Sequence, residues 1–347
     1  MQMLSTRGAA AVSPSAAILR GLAPDGGLYV PAEFPSFSLA EIAALGKMSY
    51  EQRALTVLER FLPDFTREEL TGAIRGAYGT GFDCGEIAPI RKVGGWAHAL
   101  ELWHGPTLAF KDMALQILPH LLTKSMSKVS GGKKAVILVA TSGDTGKAAL
   151  EGFADVPGTQ IIVFYPSEGV SDIQKQQMIT QAGKNVKVFG IEGNFDDAQR
   201  GVKEIFGNTA LSDELATKGY TFSSANSINW GRLVPQIVYY FSAYVDAVKA
   251  GKITAGDPIN FVVPTGNFGD ILAGYYAKLM GLPIDRLLCA SNSNNVLTDF
   301  INTGVYDRRR EFFKTVSPTM DILVSSNLER LLYSVTEHDA ARVADYM

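Results

Sequence analysis

The sequence is poor in the residues that build cross-linked or metal-bound domains. It holds two cysteines, Cys84 and Cys289, and four histidines in 347 residues. Two thiols cannot form a disulfide framework or a cysteine-rich zinc site, and a reduced, cytoplasmic setting is the default expectation. No charge of one sign dominates: Lys and Arg total 32, Asp and Glu 35, a formal net charge of −3. That balance excludes a nucleic-acid or anionic-membrane binder that relies on bulk charge. The longest apolar run, Leu233–Val248, is short for a membrane span and is broken by Pro235, Gln236 and Asp246. The Ala-rich stretch Ala9–Leu19 has signal-peptide length. Ser13, Pro14 and Ser15 interrupt it and no small-residue cleavage site follows Arg20, so no secretory leader is expected. No His/Asp/Glu cluster has metal-ligand spacing, so no metal is expected. Nucleophile motifs of the Ser-x-x-Lys or Gly-x-Ser-x-Gly kind are also missing.

What is present is globular. The chain is 46% hydrophobic and 19% charged, a composition able to bury a large core. Its length suggests about two domains. Residues 1–95 read as helices and turns, an N-terminal extension in which Ser38–Leu45 and Thr66–Tyr78 have helical spacing and Thr66 is a plausible N-cap. Asp25-Gly26-Gly27 reads as a turn into an extended segment at 28–31. From about residue 96 continuous apolar runs alternate with helical stretches. The strands are expected at 135–140, 160–165, 186–191, 220–223, 260–263 and 286–290. The helices are expected at 145–153, 171–182, 196–206, 233–249 and 269–280. Such alternation predicts an α/β fold with two open, mostly parallel twisted sheets and flanking helices. The blocks divide near 96–195, smaller, and 196–347, larger. The chain stops at Met347 inside what reads as a helix, which suggests that part of the C-terminal block lies beyond it.

Three polar loops each follow an apolar run and open a helix, the place where open α/β sheets bind ligands and where backbone N–H groups favour anions. Thr141-Ser142-Gly143-Asp144-Thr145-Gly146 offers two glycines and three hydroxyls. It suits a carboxylate or phosphate, and equally a plain strand-to-helix turn capped by Asp144 or Thr145. Pro264-Thr265-Gly266-Asn267-Phe268-Gly269-Asp270 has a Gly-x-x-Gly core that suits a phosphate or a bare turn; it is neither a Walker loop nor a dinucleotide fingerprint. Within 223–232, Ser227, Asn229 and Arg232 group two neutral donors with a guanidinium. Arg matches phosphate geometry, though a locally pairing Arg is the commoner case.

Lys111 lies in His104-Gly105-Pro106-Thr107-Leu108-Ala109-Phe110-Lys111-Asp112, an apolar, Gly/Pro-containing setting. A desolvated lysine has a lowered pKa and forms Schiff bases with carbonyls. Taken alone, a surface lysine paired with Asp112 is the simpler reading, and His104 reads as a structural hydrogen-bonder. The coincidence of parts changes the balance. A pyridoxal 5′-phosphate (PLP) enzyme needs a lysine for the aldehyde, a cradle for the cofactor phosphate and a carboxylate site for an amino acid. A further anion site implies a substrate with a second negative group.

At these residues the sequence resembles the threonine synthase family of fold-type II PLP enzymes, related to the tryptophan synthase β-subunit. The segments that carry the likeness are HGPTLAFKD (104–112), TSGDTG (141–146), SINWGR (227–232) and PTGNFGD (264–270). Residues 5–8, 23–31, 292–295 and 325–330 agree in order, as in the longer bacterial and fungal branch with its N-terminal extension. The resemblance implies that Lys111 is the Schiff-base lysine and proton carrier. Gly266, Asn267, Phe268 and Gly269 would cradle the PLP phosphate, and Asp144 would lie near the pyridine 3′-oxygen. Ser142, Gly143 and Thr145 would hold the substrate carboxylate or phosphate. Ser227, Asn229 and Arg232 would bind the phosphate of O-phospho-L-homoserine. The implied reaction is γ-elimination of phosphate and β-addition of water to give L-threonine, with a closing motion between the two blocks. A monomer or homodimer without nucleic-acid or membrane partners is implied. The sequence departs from the branch in two ways: it is shorter, with no identified hydroxyl for the pyridine nitrogen, and it has Asn294-Asn295 where Asn-Asp is usual. Competing readings are a PLP phospholyase that releases 2-oxobutyrate, and a truncated, non-catalytic chain that binds PLP or an amino acid.

Overall fold

The computed structural model describes residues 1–347, the side chain of Asp196 excepted. The N-terminal segment runs β1 (Met3–Ser5), α1 (Pro14–Arg20), β2 (Tyr29–Pro31), α2 (Leu39–Leu45), α3 (Tyr50–Phe61) and α4 (Arg67–Tyr78). A hairpin follows, β3 (Ile90–Gly94) and β4 (Ala97–Leu100), then α5 (Asp112–Leu115) and α6 (Leu118–Val129). The first α/β run is β5 (Lys134–Ala140), α7 (Asp144–Phe153), β6 (Thr159–Pro166), α8 (Asp172–Ile179), β7 (Val186–Ile191), α9 (Phe195–Gly207), α10 (Thr209–Thr217) and β8 (Tyr220–Ser224). The second is α11 (Trp230–Lys249), β9 (Ile259–Pro264), α12 (Gly269–Leu279), β10 (Ile284–Ala290), α13 (Val296–Thr303), a 3₁₀ turn at Pro318–Met320, α14 (Leu328–Val335) and α15 (Ala340–Tyr346).

Local chemistry sets many of these boundaries. Ser38, Ser49, Thr66 and Ser171 each cap a helix through a reciprocal capping box with the residue three positions on. The apolar runs at β5 and β6 form the middle of a parallel sheet ordered β7-β6-β5-β8, covered by helices as such runs require. A second parallel pair joins β9 to β10. The expected fold class is therefore the observed one: α/β, with parallel sheets, flanking helices and a helical N-terminal segment.

One strand changes place. The sequence reading assigned 220–223 to the second block, whereas Tyr220–Ser224 pairs in parallel with β5. The sheets therefore do not divide at residues 195 and 196. The reason is topological. The chain steps outward from β5 to β6 to β7, then returns through α9 and α10 to the free edge of β5. A strand's apolar run is the same on either side of that crossing. The return has a consequence for the site. The loops leaving β5 and β8 sit side by side where the strand order reverses, and a crevice forms at the carboxyl ends of such strands.

The run at 233–248 is a buried central helix. Every residue of α11 from Trp230 to Val245 is buried, and the helix packs against α3, α12 and α5. One core cluster includes Ile18 and Phe61 of the N-terminal segment, Ile137 and Ile161 of the first sheet, and Leu272 beside the second. Among the described residues no helix is long and apolar enough to cross a membrane. No group of three or more His, Cys, Asp and Glu side chains there is placed to hold a metal ion.

Candidate active site

The three polar loops and the lysine meet in one cleft, with about 660 Å³ of empty space open to solvent. Lys111, Ser142, Thr145, Ser227, Arg232, Gly266, Asn267, Phe268 and Gly269 line it. Residues 140 to 270 thus converge from three strand ends, as the sequence reading expected.

Lys111 stands at the start of α5. Its neighbour Asp112 is not its partner. The fully buried Asp112 carboxylate turns back on its own loop, accepting from the Thr107 N–H at 2.8 Å, the Thr107 hydroxyl at 2.9 Å and the Gln116 amide at 3.2 Å. Gly105 must lack a side chain, because a Cβ there would lie 2.5 Å from that of Asp112. The simple reading of Lys111 as half of a surface pair with Asp112 therefore fails. No direct ion pair to Lys111 is present among the described residues. Burial lowers its pKa to about 8; the Asp144 carboxylate opposes that shift and the Arg232 guanidinium adds to it. At pH 8 about half of such a lysine is neutral, against well under ~1% for an ordinary one.

In the loop after β5, Thr141, one of the three hydroxyls of the motif, organises the turn. Its hydroxyl accepts from Gly143 N–H at 2.9 Å and Gly146 N–H at 2.8 Å. Gly143, with φ of 139°, thus gives its N–H to Thr141, and a Cβ on it would collide with Gln174 at 2.3 Å. It shapes the turn and does not line the cleft. The N–H groups of Ser142, Asp144 and Thr145 meet no acceptor among the described residues, which leaves them available to an anion at the head of α7. Asp144, expected beside the cofactor ring, is not among the residues that line the cleft. Burial alone would raise its pKa, but the charge of Lys111 and donors on Thr319 and Gln174 outweigh burial and hold it below the usual carboxylate value.

The loop before α12 forms a cradle. Backbone N–H groups of Gly266, Asn267, Phe268 and Gly269 have no acceptor among the described residues. Phe268 adopts a left-handed φ of 64°, a strained geometry of the kind that persists where surrounding structure imposes it. A Cβ at Gly266 would lie 3.0 Å from Ile322 and 3.2 Å from the Met320 backbone. The loop is clamped from behind. Ser325 donates to Gly266 O at 2.5 Å, and Asn267 Oδ1 accepts from Ser326 N–H at 2.6 Å. Arg330, fully buried, donates to Asn327, to Tyr29 O at 2.9 Å and to Ile228 O at 2.6 Å. Glu329 takes Thr6 at 2.6 Å and Arg7 at 2.9 and 3.0 Å. The motif at 325–330 thus ties the N-terminal segment to the cradle. A phosphate fits here by the chemistry of its donors, and an aldehyde fits the amine across the cleft. PLP presents both groups.

Arg232 is 3% exposed, lines the cleft and has no carboxylate partner among the described residues. One of its nitrogens donates to Ala225 O at 3.1 Å, while its Nε has no partner among the described residues. Burial pulls its pKa down to about 10, still fully charged at neutral pH. Ser227 shares its hydroxyl with the Asn267 amide, joining the Arg232 loop to the cradle.

Asn229 is the correction. It is completely buried and does not line the cleft. Its amide donates to Ile18 O at 3.0 Å and Ser224 O at 2.7 Å, and its oxygen caps α11 by accepting from Gly231 N–H at 2.8 Å. Asn226 lines the cleft instead, with its side chain bonded to both backbone groups of Ala140. Nothing in Ser-x-Asn-x-x-Arg spacing distinguishes a capping Asn from a ligand-facing one. Asn229→Ala is accordingly expected to lower stability by about 2–3 kcal/mol, since three buried groups lose partners, while a folded fraction keeps its KM. Chemical denaturation read beside steady-state kinetics checks this. Thr319, Met320, Gln236 and Phe110 also line the cleft without a prior signal. His104 does not; it sits between Asp83 at 2.6 Å and Glu101 at 2.9 Å, a structural role.

Comparison with known proteins gives the same frame. Residues 2–78 match the family described as threonine synthase N terminus, and residues 92–346 match pyridoxal-phosphate dependent enzymes. The chain is 47% identical over 335 residues to human threonine synthase-like 1, covering 94% of this chain and 45% of that protein. It therefore spans about half the length of that relative. It is 42% identical over 349 residues to threonine synthase of Pseudomonas aeruginosa, covering 100% of this chain and 71% of that one. The structure of PLP-bound threonine synthase from Brucella melitensis superposes with a TM-score of 0.89 at 42% identity, over 99% of this chain and 72% of that one. With its buried lysine, its loop of unpartnered N–H groups and these likenesses taken together, the chain belongs to the threonine synthase family of pyridoxal-phosphate-dependent enzymes.

Proposed function

We propose that the chain converts O-phospho-L-homoserine and water to L-threonine and phosphate, acting as a PLP-dependent carbon–oxygen lyase. The observation that carries this reading is Arg232: a buried, charged guanidinium with no carboxylate partner among the described residues, facing the cleft beside a separate N–H cradle. One anion site suffices for the cofactor; a second cation needs an anionic substrate group.

The residues divide the work by chemistry. Gly266, Asn267, Phe268 and Gly269 would hold the cofactor phosphate through backbone N–H groups, and Lys111 is the amine that would hold its aldehyde carbon. When bound, PLP supplies an electron-withdrawing ring that acidifies the substrate Cα–H bond. Ser142 and Thr145 bind the substrate carboxylate at the head of α7, with Gly143 shaping the turn. Arg232 and Ser227 bind the substrate phosphate and stabilise its charge as it departs. Once the substrate amine takes its place on that carbon, the freed Lys111 amine, whose pKa burial lowers, would take the substrate Cα proton and return it at a neighbouring carbon. The cleft walls come from both runs, so closure of one on the other excludes water until the addition step.

Inorganic phosphate tests the second anion site. It is expected to compete with O-phospho-L-homoserine, raising the apparent KM linearly at constant kcat. Inhibition that lowers kcat alone contradicts the assignment of Arg232 and Ser227.

A further inference from the structure

Asp144 is held from two directions. Gln174, on α8, donates its Nε2–H to Asp144 Oδ1 at 2.7 Å. The Gln174 oxygen is fixed in turn by the Ser171 N–H and hydroxyl, both at 3.1 Å. From the opposite side Thr319 donates its hydroxyl to Asp144 Oδ2. Thr319 belongs to the long connection between α13 and α14. That connection is locked by its own polar cluster, in which Asp321 takes the Thr315 hydroxyl at 2.7 Å, Asn292 at 2.8 Å and Asn294 at 3.1 Å. Lys314 of the same segment reaches across to Glu168 O at 3.0 Å. Both carboxylate oxygens are thereby engaged by neutral donors, one from each α/β run. Neither donor is hydrogen-bonded to Lys111, though Thr319 lines the same cleft, and the charges acting on Lys111 are those of Asp144 and Arg232.

We propose that Thr319, together with Gln174, is a positioning residue for Asp144, fixing both oxygens of the carboxylate that faces the charge of Lys111. The inference rests on the reading of Lys111 given above. The pair makes no direct ion contact among the described residues, so its interaction acts through space and depends on where the carboxylate is held. Because Thr319 comes from the second run and Asp144 from the first, the hold is complete only when the two runs are apposed.

The test is the titration of Lys111 in the cofactor-free chain, followed by ¹³C NMR of ¹³Cε-labelled lysine, with Lys111→Arg identifying the resonance. Thr319→Val removes the donor at nearly constant volume, and Thr319→Ser retains it. The Lys111 midpoint is expected to fall by about one unit in Thr319→Val, as an opposing charge slackens, and to stay at the native value in Thr319→Ser. A native midpoint in Thr319→Val, with or without a change in melting temperature, overturns the proposal and leaves Thr319 as a loop anchor. The readout uses neither substrate nor turnover. A failed product assay with a shifted midpoint therefore rejects the reaction and keeps this inference, and the converse result does the reverse.

Discussion

Lys111→Ala is expected to reduce turnover by about 10³-fold or more, with the fold intact. The size follows from two losses. A positioned general base contributes about 10²–10⁴-fold, and the anchor that places the cofactor aldehyde is removed with it. The fold is expected to persist because Lys111 makes no ion pair among the described residues. The loop around it is closed by Asp112 and Thr107, which the substitution leaves in place. Two readouts check this: steady-state rate with PLP in excess, and borohydride reduction followed by peptide mapping. A reduced PLP adduct on another lysine, at native stoichiometry, contradicts the assignment.

The second large effect is at Arg232. Arg232→Met is expected to lower kcat/KM for a phosphorylated substrate by about 10³-fold, the scale on which a buried cation binds its anion partner. The same variant is expected to unfold at an equal or higher temperature than the native chain. A buried guanidinium without a carboxylate is a source of instability, and an apolar side chain of similar length relieves it. This pairing of outcomes separates function from structure. A structural arginine, such as Arg330 with its three acceptors, loses stability when replaced. A loss of stability at Arg232, with kcat/KM within a few-fold of native, contradicts its role as the anion site.

Much of this arrangement was legible in the residues because each loop carries its own local signal. A continuous apolar run followed by Gly, Ser and Thr marks a parallel strand end and a helix head. Three such marks predicted three converging loops at Ser142, Ser227 and Gly266. Capping residues were equally readable, as at Thr66, whose hydroxyl and Glu69 form the expected reciprocal pair. What could not be read is what depends on which neighbour arrives in space. The edge of β5 that β8 occupies is set by a crossover of two helices, and the run at 220–224 is the same on either side. Asn229 and Asn226 are three residues apart and chemically identical; only the approach of Ile18 and Ala140 decides which of them faces the cleft. Thr319 carried no signal, because its partner lies 175 residues earlier in the chain. The motif at 325–330 could be matched as a likeness, but its use became visible only when Glu329 was found on Thr6 and Arg7.

The most direct test supplies the purified chain with PLP and O-phospho-L-homoserine, then quantifies phosphate, threonine and 2-oxobutyrate together. The account predicts phosphate and threonine in equal amounts, with 2-oxobutyrate at background. Phosphate accompanied by 2-oxobutyrate and ammonia would contradict the water-addition step, and no phosphate at all would contradict catalysis by this chain.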